Sequence, residues 1–285
     1  MVMHRGGLFM LERIEYRRRI VEAVIHSPNT VMSSIIDGAS QNHCMIPHSE
    51  HVEFADGLEQ HIEGVLTHGH GFTIYRSFPT VSADSDFTIY CLLTELMKWR
   101  EKHSGNFPET WYIQIDGGSE NANQYLLAVL EYLTIKRICK KIVLTRLPVG
   151  HTHEDIDGCF GTLASWFGNI NIQTPQQYKE EIIKAFNGES SKLKCSVEDV
   201  FVVPDYQSFF KPFIDPHFGR YTKKEWTQHQ YRFEAVTISS EFPYGSKFTY
   251  RKYSSDKVVV IDKKSIFNCT TPEGLRTGIT SNYIP

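Results

Sequence analysis

The distribution of apolar and polar residues along the chain predicts helices and strands in a regular order. Apolar residues that recur every three to four positions indicate amphipathic helices, and short apolar runs that end at glycine, proline or aspartate indicate strands. The predicted helices span residues 11–27, 85–102, 119–135, 154–167 and 175–186, and the predicted strands span 31–37, 64–68, 72–78, 111–116 and 141–147. This order, with three close strands and then alternating helices and strands, predicts an α/β fold with a mixed sheet flanked by helices.

The pattern changes after residue 188. Residues 189–220 are rich in proline and have no regular period, which predicts loops. Beyond them, three segments alternate with a period of two, which indicates strands, and they span 229–238, 247–253 and 257–262. We therefore predict a core of residues 1–188, which includes the N-terminal helix, followed by a loop-rich segment and a small antiparallel β-rich appendage in residues 189–285.

Net charge, cysteine content and the absence of long apolar runs limit the kinds of protein that this chain can be. The formal net charge of −3 gives no overall attraction to nucleic acid, so a DNA-binding face would have to be local. The helix at 11–27 carries the densest basic cluster, either as a solvated face paired with its own glutamates or as a phosphate contact. Six cysteines without a C-x-x-C pair make a zinc ribbon or finger unlikely to be the fold. With no secretory signal and no long apolar run, we expect a nuclear or cytoplasmic protein with no membrane partner.

Acidic residues follow two predicted strands and cluster after a third. Asp37 and Asp116 each end a strand and precede glycine, and the segment 151–157 contains two histidines and three carboxylates. Taken singly, Asp37 and Asp116 fit turn or cap residues. The order of elements is also that of the ribonuclease H-like fold, in which active acids come from the first strand, the end of the fourth strand and the last core helix. That resemblance implies a five-stranded mixed sheet and a single site built from these acids.

Clustered carboxylates of this kind suit hard divalent ions. Two Mg²⁺ or Mn²⁺ ions about 4 Å apart can stabilise the attacking and leaving oxygens of phosphoryl transfer. We predict Asp37, Asp116 and Asp157 as metal ligands, with Glu154 as the alternative third acid. Asp155 lies elsewhere on the predicted helix, where it either pairs with a basic residue or is solvated. The predicted supporting residues are His151, His153 and Glu120.

A longer run of residues resembles a known family. Residues 147–157, Leu-Pro-Val-Gly-His-Thr-His-Glu-Asp-Ile-Asp, are similar to the signature of a transposon-associated domain family of unknown function, which resembles the DDE/DDD transposases and integrases of the ribonuclease H-like superfamily. Residues 35–38, 64–69, 86–93 and 115–123 are similar to it as well. The resemblance implies metal-dependent cleavage or strand transfer on DNA, with DNA as partner and a homo-oligomeric assembly. Ser40 and Gly117 depart from the family pattern, which has an acid and an asparagine there.

Two alternative functions remain open. In the first, the domain is a domesticated and catalytically inactive module that binds nucleic acid or protein through its basic helix and the aromatic and basic residues of the C-terminal strands. In the second, it is a zinc metallo-hydrolase, because His151, His153 and Asp155 resemble a His-x-His-x-Asp-His motif whose last histidine is replaced by Ile156. His68 and His70 would be further ligands in that case.

Overall fold

The computed structural model describes residues 5–39, 44–49, 57–115, 123–146, 155–186, 193–214, 230–236, 245–251 and 259–260. The helices in these ranges are α1 (Arg5–Val21), α2 (Ser85–Lys102), α3 (Gln124–Ile135), α4 (Asp155–Phe167), α5 (Pro175–Phe186) and α6 (Tyr206–Phe210). The strands are β1 (Val31–Gly38), β2 (Met45–Ile46), β3 (Leu58–Glu59), β4 (His61–Thr67), β5 (Gly71–Ser77), β6 (Thr110–Ile115), β7 (Lys141–Arg146), β8 (Cys195–Val200), β9 (Gln230–Val236), β10 (Gly245–Arg251) and β11 (Val259–Val260). Helix α1 continues into a short π-helical turn, Glu22–His26.

One mixed sheet organises the described part of the chain. Its strand order is β11-β10-β9-β7-β6-β1-β4-β5-β8, while β2 and β3 form a separate ribbon. Strand β1 pairs antiparallel with β4 on one side and parallel with β6 on the other. Strand β5 forms a hairpin with β4, and β7 lies parallel to β6. The predicted α/β architecture with a mixed sheet and flanking helices is therefore confirmed.

The prediction of a five-stranded sheet is wrong, because nine strands take part. Strand β8 lies in the region predicted as loop and pairs in parallel with β5. Strands β9 to β11 extend the sheet beyond β7 instead of forming a separate appendage. A period-two pattern identifies a strand but not its neighbour, and docking on β7 removes what would otherwise be an exposed edge.

The sheet separates two apolar cores. Alternate residues of β1 point to opposite faces, so Met32 and Ile36 pack with α2 and α3, whereas Ile35 packs with α4 and α5. The acidic residue Asp37 has the same parity as Ile35 and therefore belongs to the face covered by α4. This face is the one on which a site at the end of β1 would form.

Local signals explain where the helices on the first face begin. The Asp84 side chain accepts a hydrogen bond from Asp86 N–H at 2.8 Å and caps α2. The Asn123 side chain accepts from Tyr125 N–H and Leu126 N–H and caps α3. Across the described ranges, none of the helices combines the length and the apolar character needed to cross a membrane.

Candidate active site

Asp37 is the next-to-last residue of strand β1, which lies in the interior of the sheet. It is half-buried, and its Oδ1 accepts a hydrogen bond from Gly38 N–H at 2.8 Å. Across the sheet it pairs with Gly64 of β4. The carboxylate is therefore held at the carboxyl end of β1 by backbone pairing and by a local hydrogen bond.

The register of β1 and β6 brings the ends of these two strands together. Ile36 pairs with Ile115, the last residue of β6, and Ile115 pairs in turn with Arg146, the last residue of β7. The three parallel strands therefore end side by side. Asp116 follows Ile115 in the sequence but lies outside the described residues, as does Glu120.

The histidine-rich segment is described only from its last three residues onward. His151, His153 and Glu154 lie outside the described residues, and Asp155 is the first residue of α4. Asp157 lies in the first turn of that helix and is partly exposed. Buried Ile156, Cys159, Leu163 and Phe167 form the stripe that packs α4 against the sheet. Asp155 and Asp157 thus lie on either side of this stripe.

A buried histidine fixes the start of α4. His68, at the end of β4, is 8% exposed, and its Nδ1 lies 3.0 Å from both the backbone oxygen and the hydroxyl of Ser33. Because a carbonyl oxygen can only accept, Nδ1 carries a hydrogen. Its Nε2 lies 3.2 Å from the Tyr16 hydroxyl and 3.5 Å from Asp155 Oδ2. One imidazole therefore links α1, β1, β4 and α4, and we call Tyr16, Ser33, His68 and Asp155 the His68 cluster.

The electrostatics of the His68 cluster favour an ionised Asp155. The hydrogen bond from His68 lowers the pKa of Asp155, burial opposes this, and the positive charges of Arg17 and Arg13 lower the pKa further. The basic residue nearest to Asp155 is His68, and the carboxylate is also half-exposed, so it has both a basic partner and access to solvent. This pairing also gives Asp155 a structural role that does not require a metal.

A buried arginine occupies the same face beside β7. Arg19 of α1 is 3% exposed, and its guanidinium donates a hydrogen bond to the Thr145 hydroxyl and lies 5.3 Å from the centre of the Tyr112 ring. Burial lowers the pKa of Arg19, and the negative charge of Glu15 raises it. Since this side chain is enclosed, it holds α1 on the sheet and does not offer a contact to phosphate.

The described contacts place the first turn of α4 and the carboxyl end of β1 at different heights along the sheet. The backbone N–H of His68 donates to the backbone oxygen of Ser33 at 2.9 Å. His68, whose side chain contacts Asp155, therefore lies beside Ser33. Asp37 comes four residues later, which is about 13 Å along a strand. Asp157 lies about 3 Å along the helix axis from Asp155. The described contacts therefore bring Asp37 to the end of β6 but do not join it to Asp157.

The described part of the chain contains histidines, cysteines and carboxylates that could bind a metal ion. There, no three histidine, cysteine, aspartate or glutamate side chains come close enough to hold a metal ion. His70 packs against Trp99 and His103, with ring centres 4.5 and 5.2 Å away, and burial lowers its pKa to about 4. His68 is committed to its own cluster. Both rings thus have partners among the described residues, while His151 and His153, the other ligands of the zinc alternative, lie outside them.

Sequence reasoning missed the His68 cluster and Arg19. The available signals were a histidine directly after an apolar strand and a tyrosine within a basic helix. The sequence does not show that these two residues contact each other. The partners are 52 residues apart for Tyr16 and His68 and 126 residues apart for Arg19 and Thr145. Such pairs become visible only when the sheet and its helices are assembled.

The family model described as "Domain of unknown function (DUF7869)" matches residues 50–249, which is more than half of the chain. A search of curated proteins finds no match.

Proposed function

The chain belongs to the DUF7869 family, and we propose that this domain performs metal-dependent phosphoryl transfer on DNA, cleaving or joining strands as transposases and integrases do. The observation that carries the proposal is the pairing of Ile36 with Ile115, which ends β1 and β6 side by side. Each of these residues is followed directly in the sequence by an aspartate, Asp37 and Asp116. If the same pairing continues for one more residue, Asp37 and Asp116 lie side by side on adjacent strands.

The order and direction of the inner strands support a ribonuclease H-like fold. Strands β1, β4 and β5 are antiparallel neighbours in that order. Strand β6 then follows α2 as the parallel neighbour of β1, and β7 follows α3 as the parallel neighbour of β6. In this series β1 is the first strand and β6 is the fourth, apart from the short ribbon of β2 and β3. These are the strands whose ends carry acids in the fold that the sequence resembles. The analogy concerns fold, and the chemistry has to be tested on the site itself.

The donor set fits hard divalent ions. Adjacent strands lie about 4.8 Å apart, so two carboxylates at neighbouring strand ends are close enough to share Mg²⁺ or Mn²⁺ ions. Carboxylate oxygens are the ligands these ions prefer. Such ions, when bound, would stabilise charge on the attacking and leaving oxygens of the phosphate. Asp37 and Asp116 would hold them, with Asp157 or Glu154 as the third acid and His151, His153 and Glu120 in support.

The His68 cluster has a positioning role in this proposal. It holds the beginning of α4, and so Asp157, at a defined height above β1. The residues between Arg146 and Asp155 connect the end of β7 to this helix, and they include Glu154 and both signature histidines. Glu154 and Asp157 are the two alternatives for the third acid. Separate substitution of Glu154 and Asp157 distinguishes the two.

Cleavage of DNA in Mn²⁺ tests the proposal. We expect the purified chain to nick or cleave DNA in Mn²⁺, and we expect Asp37→Asn and Asp116→Asn to lower the rate at least about a hundredfold, because each removes a charged metal ligand. Asp84→Asn is the matched control, because it makes the same change at a helix cap that asparagine fills equally well. Mn²⁺ should also raise the melting temperature of the wild type, but not that of the two site variants.

Three outcomes would refute the proposal. Cleavage that survives Asp37→Asn and Asp116→Asn would show that the activity comes from another site or from a contaminant. Absence of both cleavage and Mn²⁺ stabilisation would favour a binding module without chemistry. Zinc that co-purifies with the chain and is lost in His151→Ala would favour the metallo-hydrolase.

A further inference from the structure

A small cavity lies beside the carboxyl end of β1, on the side of β4 and β5. Its described lining includes Ala39, Met45, Gln60, Ile62, Phe78 and Val81, and we call it the Gln60 pocket. Ala39 comes two residues after Asp37, about 7 Å along an extended chain, and its N–H donates to Ile62 O at 2.9 Å. The Gln60 pocket therefore lies next to the candidate site, at the same end of the sheet.

A buried carbonyl oxygen of the Gln60 pocket lacks a hydrogen-bond partner. Gln60 is 5% exposed, and its backbone N–H and its Nε2 both donate to Cys44 O at 3.1 Å. Because a carbonyl oxygen can only accept, the amide nitrogen faces Cys44, and this fixes the orientation of the carboxamide. The other atom, Oε1, is buried and makes no hydrogen bond within the described part of the chain. Such an acceptor is costly unless a ligand or a water molecule donates to it.

The charges around the Gln60 pocket favour a neutral ligand. Its described lining contains no lysine or arginine but does contain Glu59, so an anion such as phosphate would be repelled. Burial raises the pKa of the Cys44 thiol to about 12, so this cysteine stays protonated and uncharged. Among the described residues, no three metal-binding side chains come together here. A neutral ligand that carries an N–H group therefore matches both the lining and the buried Oε1.

The volume of the Gln60 pocket corresponds to a single ring. It is about 170 Å³, and an apolar cavity of about 150 Å³ accommodates benzene. A six-membered ring therefore fits, whereas the two fused rings of a purine are larger. Phe78 adds an aromatic ring to the lining, and aromatic side chains stack on the bases of single strands. We propose that the Gln60 pocket binds a pyrimidine base of single-stranded DNA, with Gln60 Oε1 accepting the hydrogen bond from its N–H.

This inference rests on the proposed function, which places a phosphate of the DNA strand at Asp37 and Asp116. Nucleotides of a stacked strand are about 3.4 Å apart, so the roughly 7 Å from Asp37 to Ala39 corresponds to about two nucleotide steps. An unpaired nucleotide close to the reacting phosphate therefore reaches the Gln60 pocket. Enzymes that act on unpaired bases hold them by hydrogen bonds to the Watson–Crick edge. Binding of one base there would determine which phosphate lies at the acids.

Fluorescence anisotropy with a short oligothymidylate tests the proposal, in buffer without divalent metal so that no strand is cleaved. We expect Gln60→Leu, which removes the acceptor, and Ala83→Leu, which narrows the pocket, each to raise the dissociation constant at least about threefold. Ala83 lines the pocket and is exposed, so its replacement does not disturb the core. Gln176→Leu is the matched control, because Gln176 is exposed on α5, and circular dichroism verifies that all variants are folded. Unchanged affinity in both pocket variants, or an oligodeoxyadenylate that competes as well as the oligothymidylate, would overturn the proposal.

Methylation of the base tests the hydrogen bond to Gln60 directly. Thymine in a nucleotide has a single N–H, at N3, so N3-methylthymine cannot donate to Oε1. We expect the wild type to bind the unmodified oligothymidylate at least about fivefold more tightly than the methylated one, and Gln60→Leu to lose this preference. A wild type without the preference, or a preference that Gln60→Leu retains, would contradict the proposal.

The binding assay and the cleavage assay separate the two proposals, because binding is measured without metal. Preference for unmodified thymine without cleavage in Mn²⁺ would refute the proposed chemistry and leave the Gln60 pocket as a base-binding site. Cleavage that depends on Asp37 and Asp116, without any preference for unmodified thymine, would support the chemistry and overturn the proposed role of the pocket.

Discussion

Replacing His68 by alanine is the most direct test of the polar cluster between α1, the sheet and α4. The change removes a ring that is 8% exposed and that contacts Ser33, Tyr16 and Asp155. Three consequences follow at once: the Ser33 carbonyl loses a donor, the Tyr16 hydroxyl loses a hydrogen-bond partner, and Asp155 loses its partner. The loss should therefore affect stability even if the protein has no enzymatic activity.

The size of the effect can be worked out from these contacts. A buried hydrogen bond contributes about 1 kcal/mol, and an unsatisfied buried partner costs about 1–3 kcal/mol. The edge-on contact of the His68 and Tyr16 rings, with centres 5.7 Å apart, adds about 0.5–1 kcal/mol. The pair with Asp155 contributes less, since that carboxylate is half-exposed. We expect His68→Ala to lower the free energy of unfolding by about 2–4 kcal/mol.

Denaturation in urea, followed by tryptophan fluorescence, measures the change. The midpoint should fall while the slope stays constant if the native fold is kept. His26→Ala is the control, because His26 is exposed in the π-helical turn and its loss should change stability by less than about 0.5 kcal/mol. A double-mutant cycle of His68→Ala with Asp155→Asn isolates the energy of that pair. If His68→Ala unfolds like the wild type, the cluster does not hold these elements together.

Two further predictions concern packing and pH. Gly64→Ala should destabilise the protein by about 1–3 kcal/mol, because an added Cβ would lie 2.6 Å from Phe72 Cε2 and 2.9 Å from Phe160 Cζ. Gly161→Ala, where no atom lies within 4 Å, should instead stabilise α4 by about 0.5–1 kcal/mol. Equal effects of the two substitutions in urea denaturation would contradict the packing. Burial raises the pKa of Asp86 to about 6, so the folded state takes up a proton before the unfolded state and the wild type gains stability as pH falls from about 6 to 4. Asp86→Asn should lack this gain in melting curves over that range, and an unchanged pH profile would show that Asp86 does not cause it.

The sequence predicted those elements whose signals are local. Helix α2 begins where Asp84 provides a cap, and α5 begins at Pro175, a residue suited to the first turn of a helix. Strand β1 and the β4–β5 hairpin also have strong patterns of their own. These predictions required no knowledge of tertiary contacts, because the hydrophobic period and the turn residues lie within a few consecutive positions.

Features that depend on distant partners could not be predicted. Strand β8 lies in a segment that was predicted as loop because it is rich in proline and has no regular period. In the structure Asp199 of this strand pairs with Arg76 of β5 at 2.6 Å and with Lys179 at 2.9 Å. The pattern of β9 indicated a strand but not that β7 is its neighbour. For the site, the sequence identified Asp37 at a strand end, and the position of Asp155 beside His68 required the assembled fold.

The pairing of β9 with β7 has a consequence for how the chain folds during synthesis. Lys141 of β7 pairs with Glu234 of β9. Because β9 is synthesised after β7, β7 has no partner on that side while the intervening residues are made. At a synthesis rate of ~5–20 residues per second, the delay is several seconds. During this time β7, with the sequence Lys-Ile-Val-Leu-Thr-Arg, is an exposed apolar edge. We expect this unpaired edge to favour aggregation of the nascent chain in this interval, and the charged residues at both ends of β7 to oppose it.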